Sequence, residues 1–336
     1  MAQEIRIMEL MRAAKWHAEH NIKKGDQVAV ITSTTVQKEI PMAFATAAFA
    51  QGAEVVTAVM RPPKVAGEEP PETIRALMKA ADVAITASSE TLSFSDAMID
   101  CIQSGGRHLS VPGASLETFM HGIVEVYFDE KEFQKMRDVT RKYADALTKA
   151  SEVRITSPGG TDIRGSIKGR LPLPSYGIAE ETYNHTSFPT GEVMLAPVEG
   201  TAEGKMVIDI SMSYVGRITH PVTIHIEGGK AVKFEGGDQA RALQGLVERL
   251  GNSADNFAEF GFGTNQFGAI SGNKNQDKKI RGTAHVALGN NYAFGGRLVE
   301  GIGGKVKAPC HLDGIMGSVT VYFDGEKVTE HGRLLL

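Results

Sequence analysis

His311-Leu312-Asp313 places an imidazole and a carboxylate two residues apart. On a strand, side chains at that spacing leave the same face, so the pair can grip a metal ion or form an ion pair. Three further blocks in the second half carry groups of the same kind. In FPTGEVMLAPVEG (188–200), a Pro-Thr-Gly turn delivers Glu192 to the start of an apolar strand. In NFAEFGFGTN (256–265), Glu259 stands among Phe257, Phe260 and Phe262, where a carboxylate is costly to bury without a partner. In GTAHVALGNNYAFGG (282–296), His285 shares a strand face with Thr283 and Ala287, and Tyr292 follows a short loop.

Each block alone has an ordinary reading: a strand-start glutamate, an outward-pointing glutamate at a turn, a hydrogen-bonded core histidine, a surface ion pair. Together they bring three carboxylates, two histidines and a tyrosine to glycine-punctuated strand ends. Two divalent cations carry four positive charges, which Glu192, Glu259, Asp313 and a bridging hydroxide would cancel. Oxygen and nitrogen donors without thiolate suit zinc, cobalt, manganese or ferrous iron. Two such ions about 3.5–4 Å apart can hold a hydroxide nucleophile and polarise a carbonyl.

Other groups are read as structural. His17 and His20 lie on one face of an amphipathic segment, and His108, His121, His185, His220, His225 and His331 have no matching partner spacing. Tyr183 and His185 precede the Glu192 turn and are candidate lining residues. Lys305 and Lys307 are expected in solvent, and Cys310 is expected to pack away from His311. SPGGTDIRGSIKGR has glycines without the order of a phosphate loop, so hairpin turns explain it.

The elements that must hold these residues fall into two halves. Over the first 125 residues, apolar runs at 27–33, 54–60, 83–88 and 108–113 alternate with helical patterns at 37–52, 70–81 and 96–106. That alternation predicts a parallel sheet covered on both faces, a doubly wound α/β unit. It lacks both the Gly-x-Gly-x-x-Gly fingerprint and a Walker A motif, so no nucleotide site is expected. A polar-faced helix at 129–150 is expected to bridge to a second domain. From about 152 the chain reads as strands and turns, with hairpin signals at EGGKAV and FDGEKV and one helix at 237–251. The expected division is 1–150, an α/β domain with its bridging helix, and 151–336, a strand-rich α+β metal-binding domain.

Composition bounds the rest. The chain has 336 residues, 42% hydrophobic and 23% charged, with a net charge of −4 and no basic block to suggest nucleic acid. Its amphipathic start is not a signal peptide, and no apolar run of transmembrane length occurs. Two cysteines, Cys101 and Cys310, fit a reducing compartment, so the expected location is cytoplasmic, away from membranes.

The ordered set FPTGEV, EFGFGTN, GTAHVALG and HLD resembles the aminopeptidase T, or leucyl aminopeptidase, metallopeptidase family. The resemblance implies a two-domain α/β homodimer with a dinuclear metal centre. Its ligands would fall at Glu192, Glu259, His285, Tyr292, His311 and Asp313. The expected activity is hydrolysis of peptide or small amide bonds by a metal-bridging hydroxide. Glu192 or Glu259 would shuttle the proton, and Tyr292 would stabilise the oxyanion. A second resemblance, carried by GGKVKAPCHLD and the compact length, is to 2,5-dihydroxypyridine 5,6-dioxygenases. It implies the same fold around a single ferrous ion, with His311 and Asp313 matching the ligand pattern. Glu259 stands where those enzymes carry histidine, and they lack equivalents of Glu192 and His285. On that ground the expectation settles on the hydrolase, with the dioxygenase as the alternative.

Overall fold

The computed structural model describes residues 2–179, 183–293 and 303–336. The chain divides into two units. The first comprises 1–136, 175–190 and 267–269, and the second 137–174, 191–266 and 270–336. The long helix α5 (Glu130–Lys149), expected to close the first domain, therefore lies mostly in the second unit.

In the first unit, β1 (Gln27–Ser33), β2 (Glu54–Met60), β3 (Val83–Ala87) and β4 (Arg107–Ser110) alternate with α2 (Glu39–Ala50), α3 (Glu72–Ala80) and α4 (Asp96–Gln103). A helix α1 (Ala2–Asn21) precedes them. The strands form a parallel sheet in the order β2-β1-β3-β4, extended by β5 (His185–Ser187) from much later in the chain. The order reverses direction after β2, so right-handed crossovers put α2 on one face and α3 and α4 on the other. The packing of α1 on α2 and of α3 on α4 agrees. Strand β3 is buried at every residue, as a strand covered on both faces must be. The doubly wound architecture read from the alternation is the one observed. The three-residue β5 carries no periodic signal and was not expected.

The second unit is built from antiparallel sheets. One runs in the order 230–235, 222–227, 203–208, 162–166, 152–156, 320–323, 326–330, 333–334. Its hairpin at Gly228-Gly229 needs positive φ at both turn positions, and the two glycines supply +54° and +74°. The other sheet carries β6 (Glu192–Leu195), β7 (Phe257–Gly263), β8 (Ala284–Gly289) and β9 (His311–Met316). Within it β6 pairs β7, β7 pairs β8 and β8 pairs β9, each antiparallel. All four strands are buried along their whole length.

Candidate metal centre

Strand register explains how four distant blocks converge. Glu192 stands opposite Gly263, His285 opposite Gly261, and His311 opposite Gly289. Ala287 stands between Glu259 on one side and Asp313 on the other. Every functional side chain is thus flanked across the ladder by a glycine or an alanine. The glycines and alanines of FGFG and HVALG clear the space into which the large polar groups lean. A Cβ at position 261 would lie 2.1 Å from His285 Nε2, so only glycine permits the imidazole to lie there.

The groups meet at hydrogen-bond distance. His285 Nε2 is 2.9 Å from Glu259 Oε1, and His311 Nε2 is 2.7 Å from Glu259 Oε2. One carboxylate therefore bridges two imidazoles. His311 Nε2 also lies 3.2 Å from Asp313 Oδ1. On its other side His311 Nδ1 donates to the Asn290 carbonyl at 2.7 Å, which fixes the ring. Glu259, His285 and Asp313 bring ligand atoms within 4.8 Å of one another. Glu192 approaches from β6, with Oε2 3.6 Å from His285 Nε2. Glu192, Glu259, His285, His311 and Asp313 are all at most 1% exposed.

Two residues that sequence reasoning missed complete the cluster. Lys278 and Lys279 follow the short helix α6 (Lys274–Asp277) and are buried. Lys278 Nζ lies 3.3 Å from Asp313 Oδ2 and 3.8 Å from Glu192 Oε2. Lys279 Nζ bonds to Glu192 Oε1. Consecutive lysines after NKNQD read as a solvated turn, and no periodicity marks them as buried. The one available signal was their place just before the strand that carries His285.

Electrostatics follow from the geometry. Burial works to raise the Glu192 pKa, but Lys278, Lys279 and His285 outweigh it and hold the carboxyl below its usual range. Burial likewise opposes ionisation of Glu259 and Asp313. Both are nonetheless lowered, the first by the two imidazoles and the second chiefly by Lys278. His311, disfavoured by burial but flanked by Asp313 and Glu259, rises to about 9.

Tyr292, also expected as a ligand, lies just beyond the end of β8. Its amide is held by Asn290 Oδ1 at 2.8 Å, and among the described residues no hydrogen bond joins its hydroxyl to the cluster. His185 sits in the first unit, with Nδ1 3.0 Å from His108 Nδ1, and Tyr183 packs edge-on against it. Lys305 and Lys307 are exposed, and Cys310 is buried with its thiol raised to about 12 by burial.

The donor set fits a divalent ion. Glu192 Oε2, Asp313 Oδ1 and His285 Nδ1 are buried without a hydrogen-bond partner, although ion-pair contacts reach the two carboxylate oxygens. Two imidazoles and adjoining carboxylates, without thiolate, match the chemistry of non-haem ferrous, manganese or zinc sites.

Comparison with known proteins bears on the activity. The family model for NicX, 2,5-dihydroxypyridine 5,6-dioxygenase, matches residues 11–336. The 2,5-dihydroxypyridine 5,6-dioxygenase of Pseudomonas putida KT2440 is 25% identical over 196 residues, 56% of this chain and 55% of that protein. The chain thus spans about half the length of that curated relative in the sequence match. A solved structure of 2,5-dihydroxypyridine dioxygenase from Pseudomonas putida KT2440 superposes with a TM-score of 0.78 at 18% identity, covering 97% of this chain and 96% of that one. Wild-type AmpT from Thermus thermophilus superposes with a TM-score of 0.68 at 15% identity, covering 98% and 99%. At these identities the structural likenesses show the shared α/β fold alone.

The family match overturns the expected metallo-hydrolase. The peptidase resemblance survives as a likeness of fold, and neither the aminopeptidase activity nor the dinuclear centre it implied is supported. The expectation counted Glu192 toward a second ion, whereas in the structure Lys278 and Lys279 pair with that carboxylate. No helix among the described residues is long and apolar enough to cross a membrane. The chain belongs to the 2,5-dihydroxypyridine 5,6-dioxygenase family.

Proposed function

We propose that the chain is a metal-dependent dioxygenase that opens a hydroxylated nitrogen-heteroaromatic ring of the 2,5-dihydroxypyridine type. The observation that carries the reading is the buried meeting of His285 and His311 with Asp313 and Glu259, in a chain of this family. Those four residues would hold a ferrous ion. When bound, it supplies the one-electron chemistry that couples dioxygen to an aromatic substrate.

The protein's part is positioning and charge. The Nε2 atoms of both imidazoles converge on Glu259, where an ion would be held among them, and the Asn290 carbonyl sets the His311 ring from behind. Burial of the cluster excludes bulk water and strengthens each charge interaction within it. Lys278 and Lys279 add positive charge beside the carboxylates, which favours an ionised hydroxyl on the ring over a neutral one.

The test is anaerobic purification, loading with ferrous iron, and addition of 2,5-dihydroxypyridine with dioxygen. One dioxygen consumed per ring lost is the expected result, with both atoms of labelled oxygen in the product. His311→Ala and Asp313→Ala are expected to lose iron and oxygen uptake together while keeping the fold. Full iron occupancy with no oxygen uptake on this ring would overturn the substrate assignment. Full activity in either variant would overturn the site.

A further inference from the structure

The cluster contains its own cations. Lys278 Nζ sits between Asp313 Oδ2 at 3.3 Å and Glu192 Oε2 at 3.8 Å, where a cation shared by those two carboxylates would lie. Lys279 Nζ bonds to the other Glu192 oxygen. These are not chance surface lysines. The turn that presents them is tied down by Asp277, whose carboxylate accepts from Ser211 Oγ at 2.8 Å, Ser271 N at 2.7 Å and Gly272 N at 2.9 Å. Both side chains are buried, and Lys274, further off, lowers the Asp313 pKa in the same sense.

We propose that the ammonium groups of Lys278 and Lys279 take the place of a second metal ion, so that this carboxylate-rich site binds one divalent ion, on the side of Glu259, His285, His311 and Asp313. Charge counting supports the division. Glu192, Glu259 and Asp313 contribute three negative charges, and the two lysines return two positive ones. One divalent ion brings the group to +1 with neutral imidazoles, which a monoanionic substrate neutralises. A second ion would bring it to +3 in a buried site, with an ammonium already between the carboxylates it needs. Glu192 thus serves as the counter-ion of the lysines, a positioning residue rather than a ligand.

The inference rests on reading the cluster as a metal centre, but not on the ring-opening reaction, and its test needs no turnover. Purified protein is freed of metal and dialysed against excess manganese. Bound ions are then counted by elemental analysis, and spin coupling is read by electron paramagnetic resonance. The wild type is expected to saturate at one ion per chain with an uncoupled six-line spectrum. Lys278→Met, which keeps the length and removes the charge, is expected to rise to two ions with a spin-coupled signal. Lys279→Met is expected to move in the same direction, and gives a second, separately folded variant for the count. Two ions in the wild type would overturn the inference, as would one ion at unchanged affinity in both folded variants. No ion in the wild type would remove the metal centre itself, and the inference with it.

Discussion

The imidazole of His285 occupies the volume that a side chain at Gly261 would need. The two residues pair across β7 and β8, and a Cβ at 261 would come within 2.1 Å of Nε2. Gly261 has no positive φ to explain it, so close approach is the reason for the glycine. Gly261→Ala is therefore expected to push the ring away from Glu259, where it now sits 2.9 Å from Oε1. Overpacking of a buried site costs about 1–3 kcal/mol. The expected outcome is a lower melting temperature together with at least a tenfold loss of metal affinity, read by thermal unfolding and by metal titration. Wild-type affinity in the alanine variant would show that the ring has room to spare and is not a ligand.

That relationship also marks what the sequence made legible. The parallel alternation of the first unit was readable because each strand and helix has its own period and stop signal. Two hairpins of the second unit were readable from Gly-Gly and Asp-Gly. Glu259, His285, His311 and Asp313 were readable as a set because apolar strands with single polar residues are rare and informative. Register was not readable, so the glycine or alanine opposite each of them looked like turn chemistry. Lys278 and Lys279 escaped because two adjacent lysines normally point to solvent. The turn that presents them is anchored by Asp277 to Ser211, 66 residues away in the chain, and they pair there with Glu192 and Asp313. The His108–His185 contact was equally invisible, since it spans 77 residues and closes only when β5 joins the sheet.

His17 sets an acid limit on the first unit. Its ring is buried among Trp16, Tyr127 and Phe188, with centroids 5.0, 4.7 and 5.2 Å away. Burial lowers its pKa from 6.5 to about 3, with the neighbouring His20 charge acting the same way. The unfolded chain protonates first, so between about pH 6.5 and 3 the unfolded state binds more protons and stability falls as pH falls. His108, also held well below its ordinary value by burial, adds to the same slope. The expected loss is on the order of a few kcal/mol across that window. The check is the urea midpoint at pH 7.5 and pH 4.5. In His17→Leu the gap between the two midpoints is expected to shrink. An unchanged gap would assign the acid sensitivity to other groups.

Asp277 offers a way to separate the lysines' placement from their charge. Its carboxylate gathers Ser211 Oγ, the amide and hydroxyl of Ser271, and the amide of Gly272, with the hydroxyl at 2.9 Å. Its own carbonyl accepts from Thr283 Oγ1 at 3.2 Å, tying the turn to the start of β8. Hydrogen bonds to a charged group contribute about 1.5–3 kcal/mol each, and removing the acceptor leaves buried donors unpaired. Asp277→Ala is therefore expected to destabilise the protein by roughly 3 kcal/mol and to loosen the turn that carries Lys278 and Lys279. Asp277→Asn keeps one acceptor oxygen and is expected to lose less. The two lysines remain in both variants, so a fall in iron affinity or turnover beyond the loss of stability reports their placement. Denaturant unfolding alongside metal titration gives both numbers. If Asp277→Ala unfolds at the wild-type midpoint and binds iron unchanged, the turn is held by other contacts and Asp277 does not position the lysines.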